Sequence, residues 1–408
     1  MLMAALCSPL SAAEKVQSPE APGKARNVIL FIGDGLGINM LSAARAYSVG
    51  ADGRLQMEQL PHMALAHTCA EDKAVTDSAS SASSLATGFK VPYRSLNIRG
   101  NGNRPALISE LAHKSGRSVG IVTNTRLTDA TPAAFYGDTK NRYNEVELVP
   151  QLVESHFDVI LGGGLAWFLP KTTPPGIRED GQDYLAKARV KGWAILQTRD
   201  DLKKSEQLPA GSRLLGVFTT DDMSYVDERK GRPAEPPLTE MTLAAIHRLS
   251  KNPKGYFLMV EGGMIDKAEH KNWALRSIME TLEFDQTIGA VLREAGKDTL
   301  VIVTADHETG GFALSGSPPL SSHGNELLAR QPDQGFLMGW TSGPGALQKQ
   351  SVDFLDPNFR QPAAHYTSSA LHTANDVFVA ATGPGSEDVH GFFDNTEIFR
   401  IMKRALGL

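Results

Sequence analysis

Six short apolar runs, each closed by turn residues, constrain the fold of this chain more than anything else in it. They are NVILFI at 27–32, SVGIVT at 118–123, FDVILGG at 157–163, LLGVFT at 214–219, YFLMVEG at 256–262 and TLVIVT at 299–304. None keeps the strict apolar–polar alternation of a strand with one wet face. Continuous runs of this length suit strands buried on both sides, as in a parallel sheet covered by helices. Helical spacing appears between several of them. Residues 105–115 open with Pro105, space Ile108 and Leu111, and stop at Gly116. Residues 238–250 carry Met241, Ala245 and Leu249, and 273–295 carry Leu275, Ile278, Leu282 and Ile288 before Gly296. The alternation predicts an α/β fold, a three-layer sandwich with a mainly parallel central sheet and helices on both faces.

A chain of 408 residues with 41% hydrophobic and 21% charged residues can form one large unit. We expect a single domain over 27–408. Residues 171–236, rich in Pro, Lys, Asp and Glu, read as an insertion in it. Residues 14–26 read as a flexible tether. Residues 1–13, an apolar run ending in Ser11-Ala12-Ala13, read as a signal-peptide remnant without the usual basic start. That predicts an exported protein, periplasmic or secreted. Removing the remnant takes Cys7 with it, leaves Cys69 alone and allows no intramolecular disulfide. A formal net charge of −5 gives no nucleic-acid surface, and no apolar stretch is long enough to span a membrane.

The polar residues that follow the apolar runs carry the chemistry. NVILFI leads into Gly33-Asp34-Gly35, SVGIVT is followed by Asp129 and Thr131, YFLMVEG contains Glu261 and leads to Asp266, and TLVIVT leads to Asp306 and His307. Ligands of open parallel sheets bind beyond the carboxyl ends of the strands, so these acids should converge. Crowded carboxylates repel unless cations lie between them, which predicts a metal cluster. Asp266 and His270 stand four apart, one helical turn. Mixed imidazole and carboxylate ligands suit zinc, and all-oxygen sets suit magnesium. On spacing alone His372 is no better a ligand than His323 or His365. GDGLG at 33–37 lacks the full dinucleotide-binding spacing, and its glycines instead predict a tight turn that aims Asp34 at a metal.

The stretch VTDSASSASSLATG at 75–88 has no Gly or Pro before Gly88, unlike a linker. Ala79, Ala82, Leu85 and Ala86 fall at helical spacing, Thr76 or Asp77 can cap the start, and Gly88 supplies the stop. Ser78 then lies at a helix N-terminus, which favours negative charge. On this pattern alone a residue that merely caps the helix is the commoner outcome, and a nucleophile the rarer one.

Taken in order, IGDGLG, TDS, TDATPAA, VEGGMIDKAEH, TADHETGG and HTANDV resemble the motifs of the alkaline phosphatase family of bacterial type, across residues 27–400. The resemblance implies a metal-dependent phosphate monoester hydrolase that works through a phosphoserine, with two Zn2+ and one Mg2+ per chain. Ser78 would be the nucleophile and Arg142 the phosphate clamp. Asp34, Asp306 and His307 would hold one zinc, and Asp266, His270 and His372 the other. Glu261, Asp129, Thr131 and a bridging Asp34 would hold magnesium. Five carboxylates and a Ser78 alkoxide would then balance three divalent ions, with Arg142 left over to favour an anionic substrate. Asp129 and Lys267 stand where other members carry the histidines that recruit a third zinc. Lys267 reads either as reaching phosphate through water or as a solvated lysine. The resemblance also implies small phosphate monoesters as partners and a homodimer. The rival readings are a related sulfatase or phosphodiesterase, disfavoured by Ser78 with Thr131 and Glu261, and a non-catalytic phosphate- or metal-binding protein, disfavoured because no functional position is lost.

Overall fold

A computed structural model describes residues 24–347 and 353–408. The expected signal remnant and the tether up to residue 23 lie outside the described residues. The tether's last residues are docked: Ala25 is buried, and its amide donates to the Ala405 carbonyl.

Among the described residues ten strands form one sheet. They are β1 (Asn27–Gly33), β2 (His62–His67), β3 (Ser118–Arg126), β4 (Val159–Gly163), β5 (Trp193–Leu196), β6 (Arg213–Val217), β7 (Tyr256–Gly262), β8 (Thr299–Ala305) and, late in the chain, Val377–Thr382 and Gly391–Asp394. Five further strands precede those two: β9 (Ala313–Leu314), β10 (Arg330–Gln331), β11 (Gly335–Phe336), β12 (Met338–Ser342) and β13 (Ala363–His365), so Val377–Thr382 is β14 and Gly391–Asp394 is β15. The order across the sheet is β15-β2-β14-β8-β1-β7-β3-β4-β6-β5. Only β14 runs against its neighbours. All six expected runs are strands of this sheet.

β1, β7 and β8 are buried at every residue, which explains their unbroken apolar sequences. One group of helices, Ile38–Val49, Leu238–Leu249 and Ala274–Glu294, packs together and reaches β1, β3 and β7. A second group, Ser78–Thr87, Ile108–Lys114, Ala130–Ala133 and Thr396–Ala405, packs together and also reaches β3 and β7. The same strands are thus covered twice, which makes the three layers.

Residues 171–236 need a correction. They are not an excursion from the fold: β5 and β6 lie within them and build one edge of the sheet. The polar composition reflects an edge, where exposed turns join short strands. The excursion from the main sheet lies later, between β8 and β14, where β13-β12-β9 form a sheet of their own and β10-β11 pair separately. The sequence there offers only runs of two to five strand residues, too short to show a period.

Candidate active site

The four strands that precede the acids, β8, β1, β7 and β3, are neighbours at the middle of the sheet. Parallel register aligns their ends, with Gly33 opposite both Gly262 and Ala305, and Glu261 opposite Thr123. Asp34, Glu261 and Asp306 are therefore delivered to one place, all buried. Gly35 allows the turn: its φ is +75°, and a Cβ would meet Asp266 at 3.0 Å.

The serine-rich segment is the helix Ser78–Thr87, buried throughout. Asp77 caps it: Oδ1 accepts from the Ser80 amide at 3.2 Å. Gly88 ends it in the left-handed conformation. Most of the hydroxyls are spent locally. Ser83, Ser84 and Thr87 donate to the carbonyls four residues back, at 2.7, 3.0 and 2.7 Å. Ser81 donates to the Asp306 carbonyl at 2.6 Å, tying the helix to the end of β8. Ser78 at the first turn differs, for its Oγ lies 3.2 Å from His307 Nε2.

Two ligand-like clusters adjoin this hydroxyl. Asp34, Asp306 and His307 present atoms all within 4.8 Å of one another. His307 Nε2 lies 3.4 Å from Asp34 Oδ1 and 3.3 Å from Asp306 Oδ2. In the second cluster Asp266, His307 and His372 present atoms all within 4.8 Å of one another. His270 borders them, its Nε2 3.2 Å from Asp266 Oδ2 and 3.3 Å from His372 Nε2, which is 3.9 Å from Asp266 Oδ1. The rings of His307 and His372 stack at 3.6 Å, joining the clusters. Of the three histidines level in sequence reasoning, the fold thus brings in His372; His323 and His365 lie exposed elsewhere.

The donor atoms suit bound cations. Asp34 Oδ1, Asp306 Oδ2 and Glu261 Oε1 are buried without a hydrogen-bond partner. Asp306 Oδ1 is fixed by the amides of Gly35 and His307 at 3.1 and 2.9 Å, leaving Oδ2 to face the site. Nδ1 of His270 meets the Ala370 carbonyl at 2.6 Å, and Nδ1 of His372 meets the Thr76 carbonyl at 3.1 Å. A carbonyl only accepts, so Nδ1 carries a proton in both rings, and each ring when neutral turns its Nε2 lone pair to the site, the arrangement usual for metal-binding imidazoles. Burial opposes a charge on His270, but Asp266 outweighs it and raises that imidazole. Burial, then repulsion from Asp306, Asp266, Glu261 and Asp129, pushes the Asp34 carboxyl well above its usual range. Burial and neighbouring acids likewise raise Asp306 to about 7 and Glu261 to about 8. Burial lowers His307 to about 4 and His372 to about 3, keeping both imidazoles neutral. Such a pocket calls for positive charge.

The set expected for magnesium is less tightly drawn. Thr131 Oγ1 lies 3.5 Å from Asp34 Oδ2. Glu261 Oε2 accepts from the hydroxyls of Thr123 and Thr125, which sequence reasoning missed. Asp34, Asp129 and Glu261 do not all approach within 4.8 Å of one another. Asp129 instead faces cations: Lys267 Nζ at 2.5 Å, Arg142 Nη2 at 2.9 Å and Arg126 Nη1 at 3.4 Å. Lys267 is thus no solvated lysine, since it is largely buried and its ammonium is ion-paired. Burial opposes the Asp129 charge, but Lys267, Arg126 and Arg142 outweigh it and hold the carboxyl far below its usual range.

Asp77 is the second omission. Its Oδ2 accepts from Arg142 Nη1 at 3.1 Å while its Oδ1 caps the helix and takes the Arg94 amide at 3.0 Å. Asp77 and Asp129 therefore hold the guanidinium between them. The only sequence signal was its place beside Ser78, and capping already accounted for it. Thr309 was also missed; its hydroxyl donates to Asp266 Oδ1 at 2.6 Å and lies 3.3 Å from His307 Nδ1.

Comparison with known proteins agrees with this geometry. The family model described as alkaline phosphatase matches residues 25–408. The tissue-nonspecific alkaline phosphatase of Gallus gallus is 32% identical over 93% of this chain and 84% of its own length. The alkaline phosphatase of Gadus morhua is 32% identical over 94% of this chain and 92% of its own. Among solved structures, the alkaline phosphatase of the Antarctic bacterium TAB5 superposes with a TM-score of 0.75 at 29% identity, covering 95% of this chain and 99% of that one. That of Thermus thermophilus gives 0.76 at 27% identity, covering 98% and 96%. The chain belongs to the alkaline phosphatase family and is a phosphate monoester hydrolase.

Proposed function

We propose that the hydrolysis runs through a phosphoserine at Ser78 in two displacements. The observation that carries this reading is the Ser78 hydroxyl, 3.2 Å from His307 Nε2, at the first turn of a buried helix. Ser78 Oγ, as the alkoxide, bonds to phosphorus while the ester P–O bond breaks, and the alcohol leaves with a proton from water. Water then attacks the phosphoserine, the Ser78 O–P bond breaks, and inorganic phosphate departs. Arg142 grips two equatorial phosphate oxygens with its fork, and Asp77 and Asp129 hold that fork in place. Lys267, fixed on Asp129, adds positive charge beside the phosphate.

Asp34, Asp306 and His307 would hold one zinc, Asp266, His270 and His372 the second, and Asp34, Asp129, Thr131 and Glu261 a magnesium. Bound there, the three ions supply the positive charge that lowers the Ser78 pKa and neutralises the leaving oxygen. The unpartnered oxygens of Asp34, Asp306 and Glu261 support this assignment. So does a TAB5 alkaline phosphatase variant with aspartate in place of a histidine, solved with magnesium in its M3 site.

The enzyme would act after export, in the periplasm or as a secreted protein, and as a homodimer. Among the described residues no helix is long and apolar enough to cross a membrane. Exposed Ile38, Met63 and Leu65 line one groove near the β2–β15 edge, a surface suited to a second copy. The assay is hydrolysis of p-nitrophenyl phosphate at alkaline pH. Activity is expected to vanish with EDTA and return with zinc plus magnesium; full activity in metal-free protein would refute the ligand assignment.

A further inference from the structure

In-line displacement puts the attacking and leaving oxygens on opposite sides of phosphorus. Taking Ser78 as the nucleophile, on which this inference rests, the leaving oxygen faces Asp266, His270 and His372. A cavity of about 520 Å³ adjoins that cluster, with His270 and Lys267 in its wall. Small-molecule pockets span roughly 300–1,000 Å³, so this one has room for a leaving alcohol of several carbons.

The charges in the wall are unequally committed. Asp222 takes Arg126 at 3.0 Å, and Lys267 lies 3.7 Å from it. Glu228 takes Arg276 at 2.7 Å, and Arg232 lies 3.4 Å from Glu235. Asp221 is 3.8 Å from Arg126. Among the described residues Lys271, also in this wall, has no carboxylate within ion-pair distance; its ammonium rests 4.4 Å over the Trp273 ring. The charges of Arg276 and Arg360 also bear on it, and those of Glu228 and Asp222 act from farther off with the opposite sign. The wall therefore offers one uncommitted cation, one residue beyond His270, and the hydroxyls of Ser368 and Ser369 beside it.

We propose that Lys271 selects the leaving group: monoesters whose alcohol carries a second anion, a carboxylate or another phosphate, seat that anion on Lys271. Two substrate pairs test this with metal-replete enzyme. 3-Phosphoglycerate and glycerol 3-phosphate differ by a carboxylate, and propane-1,3-diol bisphosphate and monophosphate differ by a phosphate. In Lys271→Gln the ratio of kcat/KM, anionic over neutral partner, is expected to fall about fivefold, the scale of one part-exposed ion pair. The fall should come through KM and be restored by Lys271→Arg. The same loss should appear in Kd, by calorimetry, when Lys271→Gln is added to Ser78→Ala. A loss in one pair alone identifies which anion is read. Ratios that stay put in both pairs overturn the proposal. If Ser78→Ala loses turnover of p-nitrophenyl phosphate while those ratios stay put, only the role of Lys271 falls; if Ser78→Ala keeps wild-type turnover, the reading of Ser78 falls as well.

Discussion

Asp77 carries two tasks on two oxygens, capping the helix that begins at Ser78 with one and anchoring Arg142 with the other. Asparagine caps a helix about as well as aspartate, but its amide lacks the charge that holds a guanidinium. Asp77→Asn is therefore expected to keep thermal stability within about 1 kcal/mol while weakening inhibition by inorganic phosphate roughly tenfold. A denaturation curve beside a phosphate inhibition series reads both; equal phosphate inhibition in the two proteins would contradict the anchoring role. This double use also shows why the site was only partly legible in sequence. Asp34, Asp306 and His307 declared themselves because each follows a buried strand. Asp77, Thr309, Thr123 and Thr125 act through contacts between segments far apart in the chain, and no local pattern marks those. His372 was ambiguous for the same reason: only the fold brings it within 3.3 Å of His270.

Secondary elements were legible where burial was uniform. β1, β7 and β8 are buried at every residue, and their sequences are correspondingly apolar. β2 alternates between exposed and buried and so shows no continuous apolar run, and β5 is a four-residue edge strand. Edges are set by which strands come together, which composition does not record, and so 171–236 looked like an insertion. The helix that begins at Ser78 was readable because its stop signal is specific. Gly88 has φ +74°, and a Cβ there would meet Phe399 Cδ1 at 2.5 Å. Gly88→Ala must strain the backbone and push against the C-terminal helix, so it is expected to lower stability by roughly 1–3 kcal/mol. Urea denaturation checks this, and a variant as stable as wild type would mean that the helix end relaxes freely.

Across the whole molecule, one sheet gathers five acids at the ends of its central strands or just beyond them, and cations must offset the repulsion. Folding raises Asp306 to about 7 and Glu261 to about 8, above ordinary carboxyls near 4. A group with a raised folded pKa binds its proton more tightly in the native state, so its stabilisation is present at low pH and lost as pH rises. His307 and His372 shift downward, and their effect is confined to pH below about 6.5. EDTA-treated enzyme should therefore lose Tm between pH 6.5 and 8, and the gain from adding zinc and magnesium should widen over the same interval. A Tm in EDTA that rises or stays level across that interval would contradict this picture of the acid cluster. The central claim is that Ser78 accepts the phosphoryl group. Its most direct test is acid quenching of metal-replete enzyme during turnover, followed by peptide mass spectrometry. We expect one phosphoryl group on the peptide containing Ser78, and none together with at least a thousandfold lower turnover in Ser78→Ala; a phosphoryl group on another residue, or wild-type turnover in Ser78→Ala, would contradict the account.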